Sequence, residues 1–120
     1  MNIKSIALKA VTMSELMEDR EKIETKDIIK YYPKGIHIID ADKISMSGED
    51  KDFYVYIFDE DKKAFAFAGM LLNKIFDGIL EACEGDFDKF HKVLREESLF
   101  VRLSEGVKKD KQPITLVEVI

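Results

Sequence analysis

The hydrophobic pattern over residues 1–35 predicts a short strand followed by two short helices. Apolar residues alternate with polar or small ones over 6–10, which favours a leading strand. Thr12 and Glu15 have the spacing of a capping box, and Thr25 is a second candidate N-cap, so helices are expected over about 13–20 and 26–32. Pro33 and Gly35 should end the second helix.

From residue 36 onward the pattern predicts three strands, a helical hairpin and two more strands. The predicted strands cover residues 36–46, with a bulge, and 53–58, 64–68, 99–104 and 114–119. The predicted helices cover 70–83 and 87–97, the second capped by Asp86. A helix between the third and fourth strands is the chain order of an OB-type barrel. We therefore expect an α+β fold, an OB-like five-stranded antiparallel barrel with N-terminal helices and an inserted helical hairpin. An open antiparallel sheet with all helices on one face is the alternative.

Length and composition indicate one domain made of residues 1–120, with 1–35 as an N-terminal extension, 36–120 as the barrel and 70–97 as its helical insert. Apolar residues make up 46% and charged residues 36%, which excludes a chain disordered by composition. Cys83 is the single cysteine, and no apolar run is long enough for a signal peptide or a membrane span. The expected location is the cytoplasm, away from membranes.

No sequence motif predicts catalysis or a metal. Glycine-rich phosphate loops, serine elbows and paired histidines are all missing from the sequence. His37 and His91 are expected to be structural, and Cys83 to be a small buried apolar residue. Asp40 and Asp42 would share one strand face, which we expect to be a solvated edge. The sequence therefore predicts a protein that is not an enzyme, with no cofactor, no metal and no small-molecule substrate.

The aromatic strand at 53–58 is the best candidate for binding. Phe53, Val55 and Ile57 share one face and suit the barrel interior, which would leave Tyr54 and Tyr56 outside, where they could stack on bases. Packing under a helix is the other interpretation of the tyrosines, because strand aromatics usually pack.

Further candidates for nucleic-acid binding lie on the next strand and in the last loop. Phe65 and Phe67 share a face, and the hairpin register decides whether they join the tyrosines or fill the core. Basic side chains that could hold phosphates are Arg102, Lys108, Lys109 and Lys111. The loop that carries the lysines borders the ligand groove in OB folds, although a soluble hairpin tip would have the same composition. The net charge of −5 argues against tight nonspecific binding to duplex DNA.

The whole chain resembles small phage and prophage proteins of the single-stranded-DNA-binding type. The resemblance lies in residues 12–17, the turn at 31–35, the strands at 54–58 and 65–69, and the ending at 114–119. It implies a cytosolic OB-like protein that serves replication or recombination. The predicted function is therefore single-stranded-DNA binding. The alternative is a protein-interaction module, a homo-oligomer that pairs its C-terminal strand or its aromatic face.

Overall fold

The computed structural model describes residues 15–45 and 52–120, which form a six-stranded mixed sheet, three α-helices and a 3₁₀ helix. The strands are β1 (Glu21–Lys22), β2 (Ile36–Ser45), β3 (Asp52–Phe58), β4 (Asp61–Phe67), β5 (Leu99–Val107) and β6 (Pro113–Val119). The helices are the 3₁₀ helix (Glu15–Met17), α1 (Thr25–Tyr31), α2 (Met70–Ala82) and α3 (Phe87–Glu97). The strand order is β1-β4-β3-β2-β5-β6, so β1 and β6 are the two edges of the described sheet.

The predicted five-stranded antiparallel barrel is wrong. The sheet does not close within the described residues, because β4 takes β1 as its second neighbour instead of a strand from the end of the chain. β1 runs parallel to β4, with Glu21 opposite Ala64 and Lys22 opposite Phe65. The alternative prediction, an open antiparallel sheet, agrees with the structure in that the sheet is open. It does not include β1, which runs parallel to β4.

The predictions for the N-terminal segment fall partly outside the described residues. The strand at 6–10 and the Thr12 cap cannot be compared with the structure for that reason. The described part of the helix expected over 13–20 forms only the short 3₁₀ helix, and β1 follows where no strand is predicted. At α1 the N-cap is Glu24, and Thr25 is the first helical residue.

The three α-helices pack on one face of the sheet, which we call the helix side. Ile28 of α1, Phe76 of α2 and Phe90 of α3 are fully buried there. On the opposite side Val55 and Ile57 are buried in a smaller cluster, against which Leu16 and Met17 of the 3₁₀ helix pack. Both faces of β3 are therefore covered, which accounts for its unbroken apolar run.

Side-chain size differs between the two faces of β4. The alternation of β4 places Ala64 and Ala66 on the helix side, together with Ala68 directly after the strand, and Phe65 and Phe67 on the opposite side. Small residues on the helix side leave room for the large rings of β3 and α2. The centroids of the Tyr54 and Phe76 rings are 5.0 Å apart in a tilted arrangement, within the range in which aromatic pairs attract.

The turn before β2 requires glycine. Gly35 has φ +123°, a conformation that L side chains rarely adopt. A Cβ atom at this position would lie 2.9 Å from both the Phe100 ring and the Val101 carbonyl oxygen. β5 therefore approaches the start of β2 closely enough to exclude any side chain at residue 35.

Replacing this glycine should destabilise the fold, whereas a helical glycine should tolerate the same change. We expect Gly35→Ala to lower the free energy of unfolding by about 2 kcal/mol or more, through backbone strain and the contact with β5. Gly78→Ala in α2 is the matched control, because nothing lies within 4 Å of its added Cβ. This control should raise stability by about 0.5–1 kcal/mol. Urea unfolding of both variants measures the difference, and equal effects would contradict the packing described for β2 and β5.

Candidate interaction surface

The tyrosines of β3 lie in the core, and the prediction that they face outward is wrong. Tyr54 and Tyr56 are each about 1% exposed. The Tyr54 hydroxyl donates a hydrogen bond to Asp77 of α2 over 2.8 Å, and its backbone N–H donates to the Asn73 side chain over 2.9 Å. The cause is the helix layer, which covers this face of the central strand. In this buried position neither ring has an exposed face on which a base could stack.

Phe65 and Phe67 do not join the tyrosines, because they lie on the opposite side of the sheet. Phe65 is buried, and Phe67 is partly exposed. The two rings meet edge to face with centroids 5.8 Å apart, and the Lys22 ammonium nitrogen lies 4.9 Å from the centroid of Phe67. These contacts hold β1 against β4, and both phenylalanine rings take part in packing within the chain.

The basic residues predicted to hold phosphates lie apart from both groups of aromatic residues, on the hairpin formed by β5 and β6. Arg102 on β5 is opposite Glu118 on β6 and forms an ion pair with it. Three exposed lysines occupy the turn that follows β5: Lys108, Lys109 and Lys111. Strands β2 and β3 separate this hairpin from β4, so the predicted nucleic-acid-binding residues do not converge on one surface.

A buried cluster of charged residues joins β2 to α3, and the sequence does not predict it. Asp40 is only 3% exposed, so its expected position on a solvated edge is wrong. One carboxylate oxygen lies 2.6 Å from Nδ1 of His91 and accepts the Ala41 N–H over 2.9 Å. The other oxygen accepts two hydrogen bonds from the Arg95 guanidinium, over 3.0 and 2.8 Å. Four contacts thus satisfy a carboxylate that burial would otherwise penalise.

The position of Asp40 depends on a bulge in β2. The register between β2 and β3 shifts between Ile38 and Asp40, so two residues of β2 face one of β3. The bulge aims the carboxylate at α3, where His91 and Arg95 are four residues apart and share a helix face. That spacing, together with an acid in an apolar strand, is the sequence signal that could have revealed the cluster.

The polar atoms of the Asp40 carboxylate have partners within the chain. Asp40 contacts the Arg95 guanidinium, the His91 imidazole and the Ala41 backbone N–H, and no group of three or more metal-ligating side chains is found within residues 15–45 and 52–120. His37, the other histidine, bonds through Nδ1 to Glu60 over 2.7 Å and stacks on Phe100 with centroids 4.1 Å apart. Both imidazoles therefore have nearby carboxylates that fix their orientation.

The edge strand β6 carries the main exposed apolar surface of the described chain. Six large apolar side chains are exposed in the described residues: Tyr31, Met70, Val107, Leu116, Val119 and Ile120. Four of these six lie at the end of β5, on β6 or directly after it. Leu116 and Val119 lie on opposite sides of the sheet, so these residues share a strand edge rather than one face. An exposed edge strand with apolar side chains is a template for pairing with another chain.

The opposite edge of the sheet differs in length and in charge. β1 has only two residues, Glu21 and Lys22, and both are charged and exposed. Short, charged edge strands prevent a sheet from pairing with other chains. β6 spans seven residues and has one charged side chain, Glu118. The candidate interaction surface of this protein is therefore the β6 edge.

Comparisons with known proteins leave the resemblance to phage proteins as a prediction. No family model, no curated protein and no solved structure matches the chain. None of the helices in the described residues is long and apolar enough to cross a membrane.

Removing the buried charge should cost far more stability than the same change at the surface. We expect Asp40→Asn to lower the free energy of unfolding by about 3 kcal/mol, because an amide cannot accept from all the donors that face it. Glu118→Gln, which weakens the exposed pair with Arg102, should cost less than about 0.5 kcal/mol. Urea unfolding at neutral pH compares the two variants. Similar losses would show that Asp40 does not anchor α3.

Burial of Tyr56 should make stability fall at alkaline pH. Desolvation raises the pKa of its hydroxyl above the ordinary value of 10.0. This contribution is fully present below pH 10 and is lost as pH rises, because the unfolded chain then releases a proton that the folded chain retains. The expected slope is about 1.4 kcal/mol per pH unit. Tyr56→Phe should flatten the decline measured by urea unfolding between neutral and alkaline pH, whereas parallel curves would contradict it.

Proposed function

We propose that this protein is an interaction module that binds a β-strand of a protein partner along the edge of β6. The observation that carries the proposal is the concentration of exposed apolar side chains on this strand and at its ends. Strand addition to a sheet edge is a common mode of protein recognition, in which backbone hydrogen bonds supply affinity and alternate side chains supply specificity.

The backbone hydrogen bonds of the hairpin show which groups of β6 are available. The Ile120 N–H donates to the Phe100 carbonyl over 3.0 Å, and the Lys108 N–H donates to the Gln112 carbonyl over 2.9 Å. Hydrogen-bonded and non-hydrogen-bonded pairs alternate along an antiparallel ladder. The even-numbered residues of β6 therefore bond to β5, while the N–H and C=O groups of Thr115, Val117 and Val119 point to the edge.

None of the features that commonly prevent a sheet edge from pairing occurs at Thr115, Val117 or Val119. The β5–β6 register continues without a shift from Val101–Val119 to Val107–Pro113, so no bulge twists the strand away. Pro113 also points to the edge, but it stands at the first position of β6 and leaves the N–H groups of Thr115, Val117 and Val119 in place. The charge of Glu118 is balanced by Arg102 on the neighbouring strand. A partner strand would thus meet a regular and nearly neutral edge.

Single-stranded-DNA binding stays a prediction. The turn lysines are exposed and available to phosphates, but the tyrosines on which base stacking was predicted are buried. Fluorescence anisotropy of a labelled oligothymidine, at low and at moderate salt, tests this function separately. Salt-sensitive binding would support it, and no binding up to tens of micromolar protein would exclude it.

The strand-addition proposal predicts that a proline on the edge weakens peptide binding. A labelled peptide of alternating threonine and valine, as long as β6 and flanked by lysines, serves as the probe in anisotropy titrations. We expect saturable binding that Val119→Pro weakens at least about tenfold, because proline removes an outward N–H and places its ring on the edge.

Val119→Thr is the matched control, because it keeps the N–H and nearly the same shape. Its affinity for the peptide should stay within about twofold of that of the unmodified protein. No peptide binding, or equal weakening by threonine and proline, would contradict the proposal.

A further inference from the structure

We infer that the strand bound by β6 is β6 of a second copy of this chain, paired antiparallel about a two-fold axis. The inference rests on the proposed function, because it requires β6 to accept a strand, and it adds the identity and register of that strand. Two-fold pairing places the same surface on both sides of the interface, so β6 must be complementary to itself.

The backbone selects one register for this pairing. Only the outward N–H groups of Thr115, Val117 and Val119 can donate across the interface. With the axis at Val117, this residue lies opposite its own copy and Thr115 lies opposite Val119, which forms about six backbone hydrogen bonds. An axis at Leu116 would also form about six bonds, but it would bring Pro113 opposite Val119, so that each Val119 carbonyl would face a proline ring and have no N–H donor. The register centred on Val117 therefore uses every outward donor and avoids the proline.

The side chains fit the same register. A two-fold axis perpendicular to the sheet keeps the helix sides of both copies on one side. Thr115, Val117 and Val119 then form a row of β-branched neighbours, which is a favourable combination across antiparallel strands. On the opposite side Leu116 faces Glu118 of the other copy, so the two Glu118 carboxylates are not directly opposite each other.

The charge of the hairpin also permits a second copy. The chain has a net charge of −5, but residues 99–120 hold four basic and three acidic side chains. The single charge on β6 is already paired with Arg102. Two copies would therefore meet through a nearly neutral segment, while the acidic excess lies elsewhere in the chain, which limits the repulsion that like-charged proteins otherwise experience.

Disulfide trapping tests both the partner and the register. In a Cys83→Ala background, Val117→Cys would place two cysteines opposite each other with Cα atoms about 5.5 Å apart, within the range that a disulfide spans. Val119→Cys is the matched control, because its two copies would be offset by four residues, about 13 Å along the strand. Under mild oxidation we expect Val117→Cys to form covalent dimers at least tenfold faster than Val119→Cys.

A mixture of two other variants keeps the test independent of any change at Val117. Thr115→Cys and Val119→Cys proteins, each in the Cys83→Ala background, should cross-link to each other but not to themselves. Sedimentation equilibrium of the unmodified protein should show a monomer–dimer equilibrium that Val119→Pro shifts at least tenfold toward monomer.

The outcomes separate this inference from the proposed function. A protein that stays monomeric and unlinked, but still binds the threonine–valine peptide at its edge, would overturn the inference and leave strand addition intact. A monomer that binds no peptide would overturn both. A dimer that cross-links faster through Val119 than through Val117, or that Val119→Pro leaves unchanged, would show that the copies meet in another register or through another surface.

Discussion

The buried carboxylate of Asp40 is the interaction on which the helix side of this protein depends. It ties the bulged part of β2 to His91 and Arg95, and so fixes the rotation and position of α3 against the sheet. Phe90 and Leu94 on the same helix can then fill the core beneath it. Since β5 begins two residues after α3 ends, the same anchor sets where β5, and after it β6, joins the sheet.

Local signals in the sequence were enough to predict most of the helices and strands. The Asp86 side chain accepts hydrogen bonds from the N–H groups of residues 88 and 89, so the predicted cap of α3 is confirmed. β2 does contain a bulge, but it lies between Ile38 and Asp40, within the part of the strand where regular alternation was expected. The cap depends on neighbours along the chain, which a sequence shows directly.

The sheet neighbours and the buried faces could not be predicted in the same way. Alternation shows that Tyr54 and Tyr56 share a face, but the helices that cover this face come from distant parts of the chain. The pairing of β1 with β4 is likewise nonlocal, and a strand of two residues is too short to show an alternating pattern in the sequence. The lysines after β5 are visible in the sequence itself, whereas the position of β6 at an edge of the described sheet is known only from the strand order.

The placement of β5 beside β2 has a consequence for how the chain folds. β2, β3 and β4 form a meander of close neighbours, but β2 acquires its second neighbour only when residues 99–101 pair with residues 36–38, about sixty residues later. Contacts of such separation form slowly, because a long loop must close first. During synthesis the start of β2 therefore lacks its β5 neighbour until residues 99–101 have left the ribosome. This is the interval in which a nascent chain of this topology is most exposed to misfolding and in greatest need of a chaperone.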